Sequence, residues 1–402
     1  MSNINLKQNY NNIYVNRDVL LLAICQALFM TSTAAIISAS ALIGHMLAEN
    51  KELATVPLAC QFAGMTLSTI PISFMMKWIG RRNGFTCGLL TGIIGAIIAV
   101  YAITTDNFLL FCFGSGLIGV MNAVGQYYRF AAADIADDGF RSKAISLVLA
   151  GGVLASIGPL LASWSKEMLA PIDFAGIYIV VLILFGTSII VIRFVNIPKP
   201  DQEEKRGITR PLTQIIIQPK FIIAMTAGAS GYATMALLMT ATPLAMGACN
   251  FGFIDSAQVI QWHVVGMYAP AFFTGSLIKK YGVGKIAALG SILLGLCIVI
   301  NLSGLSLAHF WIGGMILGIG WNFLFISGTT LLTETYTPSE KAKSQGFNDF
   351  IIFGSVACAS LLSGFMHQNL GWENMNYAVI PIIILSIVVV IWLFFHKQLR
   401  RA

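Results

Sequence analysis

Long apolar runs alternate with short polar connections along this chain of 402 residues. Because roughly 20 helical residues cross the hydrocarbon core of a bilayer, each run is long enough to span a membrane. Apolar residues follow one another without strict alternation, which predicts helices rather than the strands of a barrel. Twelve spans are predicted, at residues 19–46, 53–76, 84–104, 107–133, 144–165, 172–195, 220–247, 255–278, 286–306, 308–333, 344–367 and 374–395.

The longest connection divides these spans into two sets of six. It covers residues 196–219 and contains a charged segment between Pro198 and Arg206. We therefore predict an all-α polytopic membrane protein with two six-helix bundles. The predicted boundaries are an N-terminal tail at 1–18, bundles at 19–195 and 220–395, the central loop at 196–219 and a C-terminal tail at 396–402.

Short motifs recur in the two halves at a spacing of about 200 residues. A Gln/His-x-x-Gly-Met motif at 61–65 returns at 263–267, and each copy precedes a basic, glycine-containing turn, at 77–82 and 275–282. An acidic residue and a lysine nine positions later also recur, at 134 and 143 and again at 334 and 343. Repeats of this kind predict two pseudo-symmetric bundles.

Composition and charge support a membrane location. Only 10% of the residues are charged and 57% are apolar, whereas soluble proteins carry about 25% charged residues. Of the 24 Lys and Arg residues, all except Lys51, Lys166 and Arg129 fall on the side that holds both tails. The positive-inside rule then predicts cytoplasmic termini. A retained first helix and twelve spans favour a bacterial inner membrane, and a eukaryotic membrane stays open. The net charge is +7, but the positive residues are spread over short connections and form no patch that would bind nucleic acid.

No constellation of catalytic residues, phosphate-binding loop or metal-ligand spacing is found. The seven cysteines lie inside apolar spans without CxxC spacing. We therefore expect a monomeric protein that is not an enzyme and needs no cofactor or metal.

The two halves and their basic turns resemble the major facilitator superfamily. In that family the turn after the second helix reads roughly Gly-x-Leu-Ala-Asp-Arg-x-Gly-Arg-Arg. Gly80, Arg81 and Arg82 match its end, whereas Lys77 and, in the second half, Lys279 stand in place of the aspartate. The second turn matches at Gly275, Leu277, Lys280 and Gly282.

This resemblance implies a secondary active transporter that exposes a small organic solute alternately to each side, with protons as the expected coupling ion. Two directions stay open. Gly158-Pro159 resembles part of an antiporter motif and favours efflux, whereas Arg129 favours uptake of an anionic metabolite or a carboxylate siderophore. A receptor that keeps the fold without transport is a further alternative.

In this family the first, fourth, seventh and tenth helices line the central cavity, which selects the candidate substrate-binding residues. Gln126 and Arg129 are three residues apart and share a helix face. A tryptophan beside an asparagine offers a stacking surface and hydrogen-bonding groups. The candidates are Gln26, Thr31, Asn122, Gln126, Tyr127, Arg129, Tyr232, Trp321 and Asn322.

Ionisable residues inside spans and at the basic turns provide candidates for coupling and gating. Asp349 and His263 are expected proton-coupling residues, because a buried ionisable group in lipid is costly and usually functional. His263 also suits an interhelical hydrogen bond. Salt bridges at the cytoplasmic side are expected to form a latch, from Arg81 and Arg82 to Asp134 and from Lys279 and Lys280 to Glu334. Lys77, in the first basic turn, belongs to the same latch. Plain topology signalling by basic loops is the alternative.

Overall fold

A computed structural model describes residues 2–50, 53, 56–198 and 207–399. The chain separates into two compact units, Met1–Gly207 and Ile208–Ala402, and this division falls inside the predicted central connection. Most of the charged segment of that connection (199–206), Lys51 and the last three residues of the C-terminal tail lie outside the described residues.

The first unit is built from helices that follow the six predicted spans. Its first helix begins at Ser2, so the polar tail continues directly into the first span; no Gly or Pro interrupts residues 2–18. The helices are α1 (Ser2–Leu47), α2 (Val56–Ile79), α3 (Arg81–Thr104), α4 (Phe108–Gly125), α5 (Tyr128–Ile135), α6 (Arg141–Ala150), a 3₁₀ turn (Gly151–Ile157), α7 (Gly158–Ser165) and α8 (Ala175–Arg193).

The fifth span of this unit changes helix type in its middle, between α6 and α7. Its 3₁₀ segment packs against α1, and both of its flanking glycines meet the α1 backbone. A Cβ atom at Gly151 would lie 2.2 Å from the carbonyl oxygen of Ala23, and one at Gly158 would lie 2.6 Å from that of Thr31. The glycines therefore permit a close crossing of two backbones.

The second unit repeats the order of the spans, but its helices are interrupted at other places. Pro270, which lacks a backbone N–H, separates α11 from α12, and Gly371, with φ 75°, kinks the last helix. The helices are α9 (Leu212–Ile216), α10 (Pro219–Ala248), α11 (Phe253–Tyr268), α12 (Ala271–Tyr281), α13 (Val283–Ser303), α14 (Leu307–Leu332), a 3₁₀ turn (Pro338–Glu340) and α15 (Lys341–Leu399).

The all-helical prediction is confirmed for the part of the chain that the structure describes, which contains no strand. Within the described residues, ten helical segments are long and apolar enough to cross a membrane. The two remaining predicted spans are helical as well: residues 255–278 form the broken pair α11 and α12, and residues 344–367 form the first part of α15.

The repeated Gln/His-x-x-Gly-Met motif makes the same helix contact in both units. A Cβ atom at Gly64 of α2 would lie 2.3 Å from a carbonyl oxygen of α4, and one at Gly266 of α11 would lie 2.6 Å from a carbonyl oxygen of α14. The facing helices also place a glycine at each crossing. A Cβ atom at Gly119 of α4 would lie 2.1 Å from the carbonyl oxygen of Gln61, and one at Gly318 of α14 would lie 2.5 Å from that of His263. The motif therefore encodes a close helix crossing in each unit.

Candidate functional site

A buried polar cluster lies on the fourth span, where α4 passes into α5 through a turn at 126–127. Asn122, Gln126 and Arg129 are all buried there. Arg129 Nη1 donates to Gln126 Oε1 at 3.2 Å, and the guanidinium carbon lies 4.5 Å from the centre of the Phe130 ring. Thr33 of α1 donates to Asn122 Oδ1 at 3.4 Å. The expected pairing of positions 126 and 129 is therefore present.

The two candidates on α1 have different surroundings. Thr31 Oγ1 donates to the carbonyl oxygen of Leu154 at 3.0 Å, and this bond holds α1 against the 3₁₀ segment. Gln26 is buried, and its amide nitrogen has no hydrogen-bond partner among the described residues. Because a buried amide without a partner is costly, Gln26 is the stronger ligand candidate of the two.

Tyr127 makes a contact between two helices, which was the alternative to substrate binding for this residue. Its hydroxyl donates to the carbonyl oxygen of Thr69 at 3.0 Å, which ties the fourth span to α2. The Arg81 guanidinium carbon lies 5.8 Å from the centre of its ring. Tyr127 is thus occupied by helix packing next to the basic turn.

An aromatic cluster, formed by Tyr232, Tyr268, Trp321 and Phe325, lies in the second unit. Trp321 and Phe325 are stacked, with centroids 5.0 Å apart and planes 22° apart. Tyr232 meets both rings edge-on at 5.0 Å, and Tyr268 meets Trp321 at 5.6 Å. The indole Nε1 of Trp321 is buried and has no hydrogen-bond partner among the described residues.

Sequence reasoning missed two members of this cluster. Phe325 is four residues after Trp321, so helical periodicity alone places both on one face of α14. Tyr268 belongs to the neighbouring α11, and only the packing of α11 on α14 brings it to Trp321.

The structure assigns Asn322 to packing rather than to the expected substrate contact. Its Nδ2 donates to the carbonyl oxygen of Met267 at 2.6 Å, and its Oδ1 accepts from Thr274 Oγ1 at 2.7 Å. Both partners flank the break at Pro270. Asn322 therefore braces the interrupted eighth span, and both ends of its amide are engaged.

The two expected coupling residues are both buried. Asp349 lies near the start of α15, and its Oδ1 accepts from Asn348 Nδ2 at 2.9 Å. His263 Nδ1 lies 2.7 Å from the carbonyl oxygen of Gly314, which is the interhelical hydrogen bond considered from the sequence. With this nitrogen engaged, Asp349 is the stronger coupling candidate.

The basic turn of the first unit forms the expected contact with the fourth span. Arg81 Nε lies 2.5 Å from Asp134 Oδ2, and both side chains are largely buried. Lys77, half-buried at the end of α2, belongs to the same turn. Arg82 instead donates through Nη2 to the backbone oxygen of Arg193 at the end of α8.

In the second unit the expected latch contact is replaced. Glu334 pairs with Lys220 at the start of α10, with Nζ 2.8 Å from Oε2. Lys279 and Lys280 are exposed at the end of α12, and neither takes part in an ion pair with Glu334 among the described residues. Lys220 is brought to Glu334 by the packing of α10 on α14, a contact that the repeat did not reveal.

A further ion pair, absent from the sequence interpretation, joins the central connection to the second unit. Arg210 Nε and Nη2 donate to Glu340 Oε1 and Oε2 at 2.7 and 2.6 Å. Its backbone N–H also donates to Oε1, at 2.9 Å. Hydrogen bonding from Arg210 lowers the pKa of Glu340 from 4.5 to about 2, although burial of the carboxyl opposes this shift. The two residues are 130 positions apart and carry no local signal.

A family model described as Major Facilitator Superfamily matches residues 22–269 and 251–401. The chain belongs to the major facilitator superfamily. The family resemblance and the twelve-helix fold predicted from the sequence are therefore confirmed. As a major facilitator protein, it is an integral, multi-pass membrane protein and a transporter of a small molecule.

Two bacterial relatives align over most of this major facilitator protein. It is 40% identical over 375 residues to the "Riboflavin transporter RfnT" of Brucella anthropi, covering 92% of this chain and 94% of the relative. It is 28% identical over 380 residues to the "Uncharacterized MFS-type transporter YddS" of Bacillus subtilis, covering 90% and 87%.

Solved structures of two other transporters have the same fold at low sequence identity. The fucose:proton symporter FucP of E. coli superposes with a TM-score of 0.74 at 13% identity, covering 94% of this chain and 99% of that one. The human organic anion transporter MFSD10 superposes with a TM-score of 0.75 at 10% identity, with the same coverages. These similarities concern the fold alone.

Proposed function

We propose that the protein carries riboflavin, or a closely similar flat heterocycle, across the membrane by alternating access. The observation that carries this proposal is the 40% identity to a riboflavin transporter over 92% of the chain. Riboflavin is uncharged at neutral pH, so this relative does not favour the uptake of an anionic metabolite or carboxylate siderophore. Arg129, engaged with Gln126 and Phe130, is then a polar contact or a structural residue and not an anion receptor.

The aromatic cluster of the second unit supports a planar ligand. Aromatic rings bind flat heterocycles by stacking and edge contacts, and each such pair contributes about 0.5–1.5 kcal/mol beyond burial. The Trp321 indole N–H also has no acceptor among the described residues, and a buried donor left unsatisfied costs about 1–3 kcal/mol. A ring carbonyl of the flavin type is the acceptor that we propose for this N–H.

Amide side chains of the first unit support a ligand with an imide edge. A glutamine amide presents a donor and an acceptor side by side, and an imide presents the complementary acceptor and donor. Gln26, whose amide nitrogen has no partner among the described residues, is the residue that we propose for this contact. Asn122 and Gln126 are secondary candidates, because each already has a side-chain partner.

Transport is proposed to be coupled to protons through Asp349. This carboxyl is fully buried in a membrane-spanning helix, where an ionisable group is costly and usually functional. The Arg81–Asp134 pair is proposed as a latch on the cytoplasmic side, which opens and closes as the protein changes state. Consistent with the distribution of Lys and Arg, we propose cytoplasmic termini, an inner-membrane location and a monomer.

Flux of riboflavin into proteoliposomes tests these assignments. We expect wild-type protein to accumulate riboflavin when a pH gradient is imposed and to exchange labelled for unlabelled riboflavin without a gradient. Asp349→Asn is expected to abolish the accumulation and to retain the exchange, because exchange needs no net proton movement. Lys280→Gln, which removes an exposed charge, is the matched control and is expected to retain both.

Three results would contradict parts of this proposal. Absence of both accumulation and exchange in wild-type protein, together with flux of another solute, would refute riboflavin as the substrate. Gradient-driven accumulation in Asp349→Asn would remove Asp349 from coupling. Loss of exchange as well as accumulation in that variant would make Asp349 a structural or binding residue.

A further inference from the structure

A groove of about 650 Å³ lies in the first unit, between the α2–α3 turn and the end of α8. We call it the arginine groove, because Arg81, Arg82 and Arg193 line it together with Gly80, Asn83 and Asn196. Among the residues that the structure describes, no acidic side chain lines this groove. The described lining is therefore positively charged.

Two of its three guanidinium groups have no carboxylate partner among the described residues. Arg81 is paired with Asp134, whereas no ion pair among the described residues involves Arg82 or Arg193. Arg82 donates through Nη2 to the backbone oxygen of Arg193, and its buried Nε has no hydrogen-bond partner in the part of the chain that the structure describes. An arginine held in this way is pre-organised to bind an oxyanion.

The backbone at the turn adds to this positive potential. Helix α3, 24 residues long, begins at Arg81 on the wall of the groove, and no side chain caps its N-terminus. The preceding residue, Gly80, has φ 82° and no side chain to obstruct the groove. The N-terminus of a long helix attracts anions through its N–H groups and its dipole.

Exposed apolar side chains adjoin the lining residues along the chain. Ile79 itself lines the groove, Trp78 precedes it and is 59% exposed, and Phe194 follows the lining residue Arg193 and is 57% exposed. In a membrane protein such side chains face lipid, and tryptophan is enriched at the depth of the headgroups. Basic pockets next to the membrane surface bind acidic lipid headgroups.

We propose that the arginine groove binds the phosphate of an anionic phospholipid headgroup, with the acyl chains lying along Trp78 and Phe194. A soluble phosphate would gain nothing from this apolar border. A zwitterionic lipid would bring its own cation into a groove that already holds two unpaired arginines. The structure thus favours phosphatidylglycerol over phosphatidylcholine at this position.

Lipid retention in native mass spectrometry of the purified full chain tests this site. The measured quantity is the affinity for phosphatidylglycerol, with phosphatidylcholine as the comparison lipid. Arg193→Gln leaves the backbone oxygen that holds Arg82 in place, so it removes charge without removing that contact. We expect affinity to fall about fivefold in Arg193→Gln and about thirtyfold in Arg82→Gln/Arg193→Gln.

Two controls make the test specific. Lys280→Gln removes an exposed positive charge at the pseudo-equivalent turn of the second unit and is expected to leave the affinity unchanged. Trp78→Ala removes the apolar border and is expected to weaken the lipid, but not inorganic phosphate. Unchanged phosphatidylglycerol affinity in the double variant would overturn the proposal. Equal competition by inorganic phosphate or glycerophosphoglycerol would also overturn it, in favour of a site for a soluble anion.

Discussion

The ion pair between Arg210 and Glu340 fastens the central connection to the second unit, and its loss has a calculable effect. A fall of the Glu340 pKa from 4.5 to about 2 corresponds to roughly 3 kcal/mol of interaction. Since 41% of the Arg210 side chain is exposed, solvent screening reduces the expected effect to about 2 kcal/mol. Arg210→Gln should therefore increase local opening of residues 208–218 by about thirtyfold.

Hydrogen–deuterium exchange of this segment measures that opening directly, because the Arg210 amide itself donates to Glu340. Lys220→Gln is the matched control: both partners of its ion pair are 43% exposed, so less than about 1 kcal/mol is expected. Because the pKa of Glu340 is lowered in the folded protein, the stabilisation by the Arg210–Glu340 pair is complete above about pH 4.5. It disappears as the pH falls towards 2. Exchange that is unchanged in Arg210→Gln, or equally faster in Lys220→Gln, would refute this reasoning.

Three further predictions concern binding, packing and gating. Trp321→Ala should weaken riboflavin binding about tenfold or more, measured by quenching of flavin fluorescence, while unchanged affinity would exclude the aromatic cluster from the binding site. Gly119→Ala should lower the thermal midpoint, because its Cβ would lie 2.1 Å from a carbonyl oxygen of the facing helix; Gly186→Ala, with open space around it, should not. Arg81→Asp and Asp134→Arg should each reduce riboflavin flux, and combining them should restore it; a double variant as inactive as either single one would argue against a latch.

Some parts of the fold were predictable because they depend on local sequence alone. The length and continuity of the apolar runs predict where helices lie, since a span in lipid must satisfy its own backbone hydrogen bonds. The recurrence of Gly64 and Gly266 in the two halves reflects the same helix crossing in both units. The family followed from the order of spans and basic turns, and the matching family model confirmed it.

The candidate site was predictable only in part. Gln126 and Arg129 are three residues apart in the fourth span, and the structure contains their hydrogen bond across the α4–α5 turn. Asn322 was equally plausible from its position, yet its amide is engaged by Met267 and Thr274, which lie about 50 residues away along the chain. A polar residue in a span has the same appearance in the sequence whether it binds a ligand or a neighbouring helix.

The sequence by itself determined that this chain is a helical membrane protein with two repeated halves, because hydrophobicity and chain length decide that in lipid. Only the tertiary structure decided which polar groups are engaged: Glu334 with Lys220, Arg210 with Glu340, and Trp321 with rings from other helices. These contacts depend on helix packing between residues more than 50 positions apart. Side-chain partners at that separation follow from the crossing of helices in space, which no local pattern encodes.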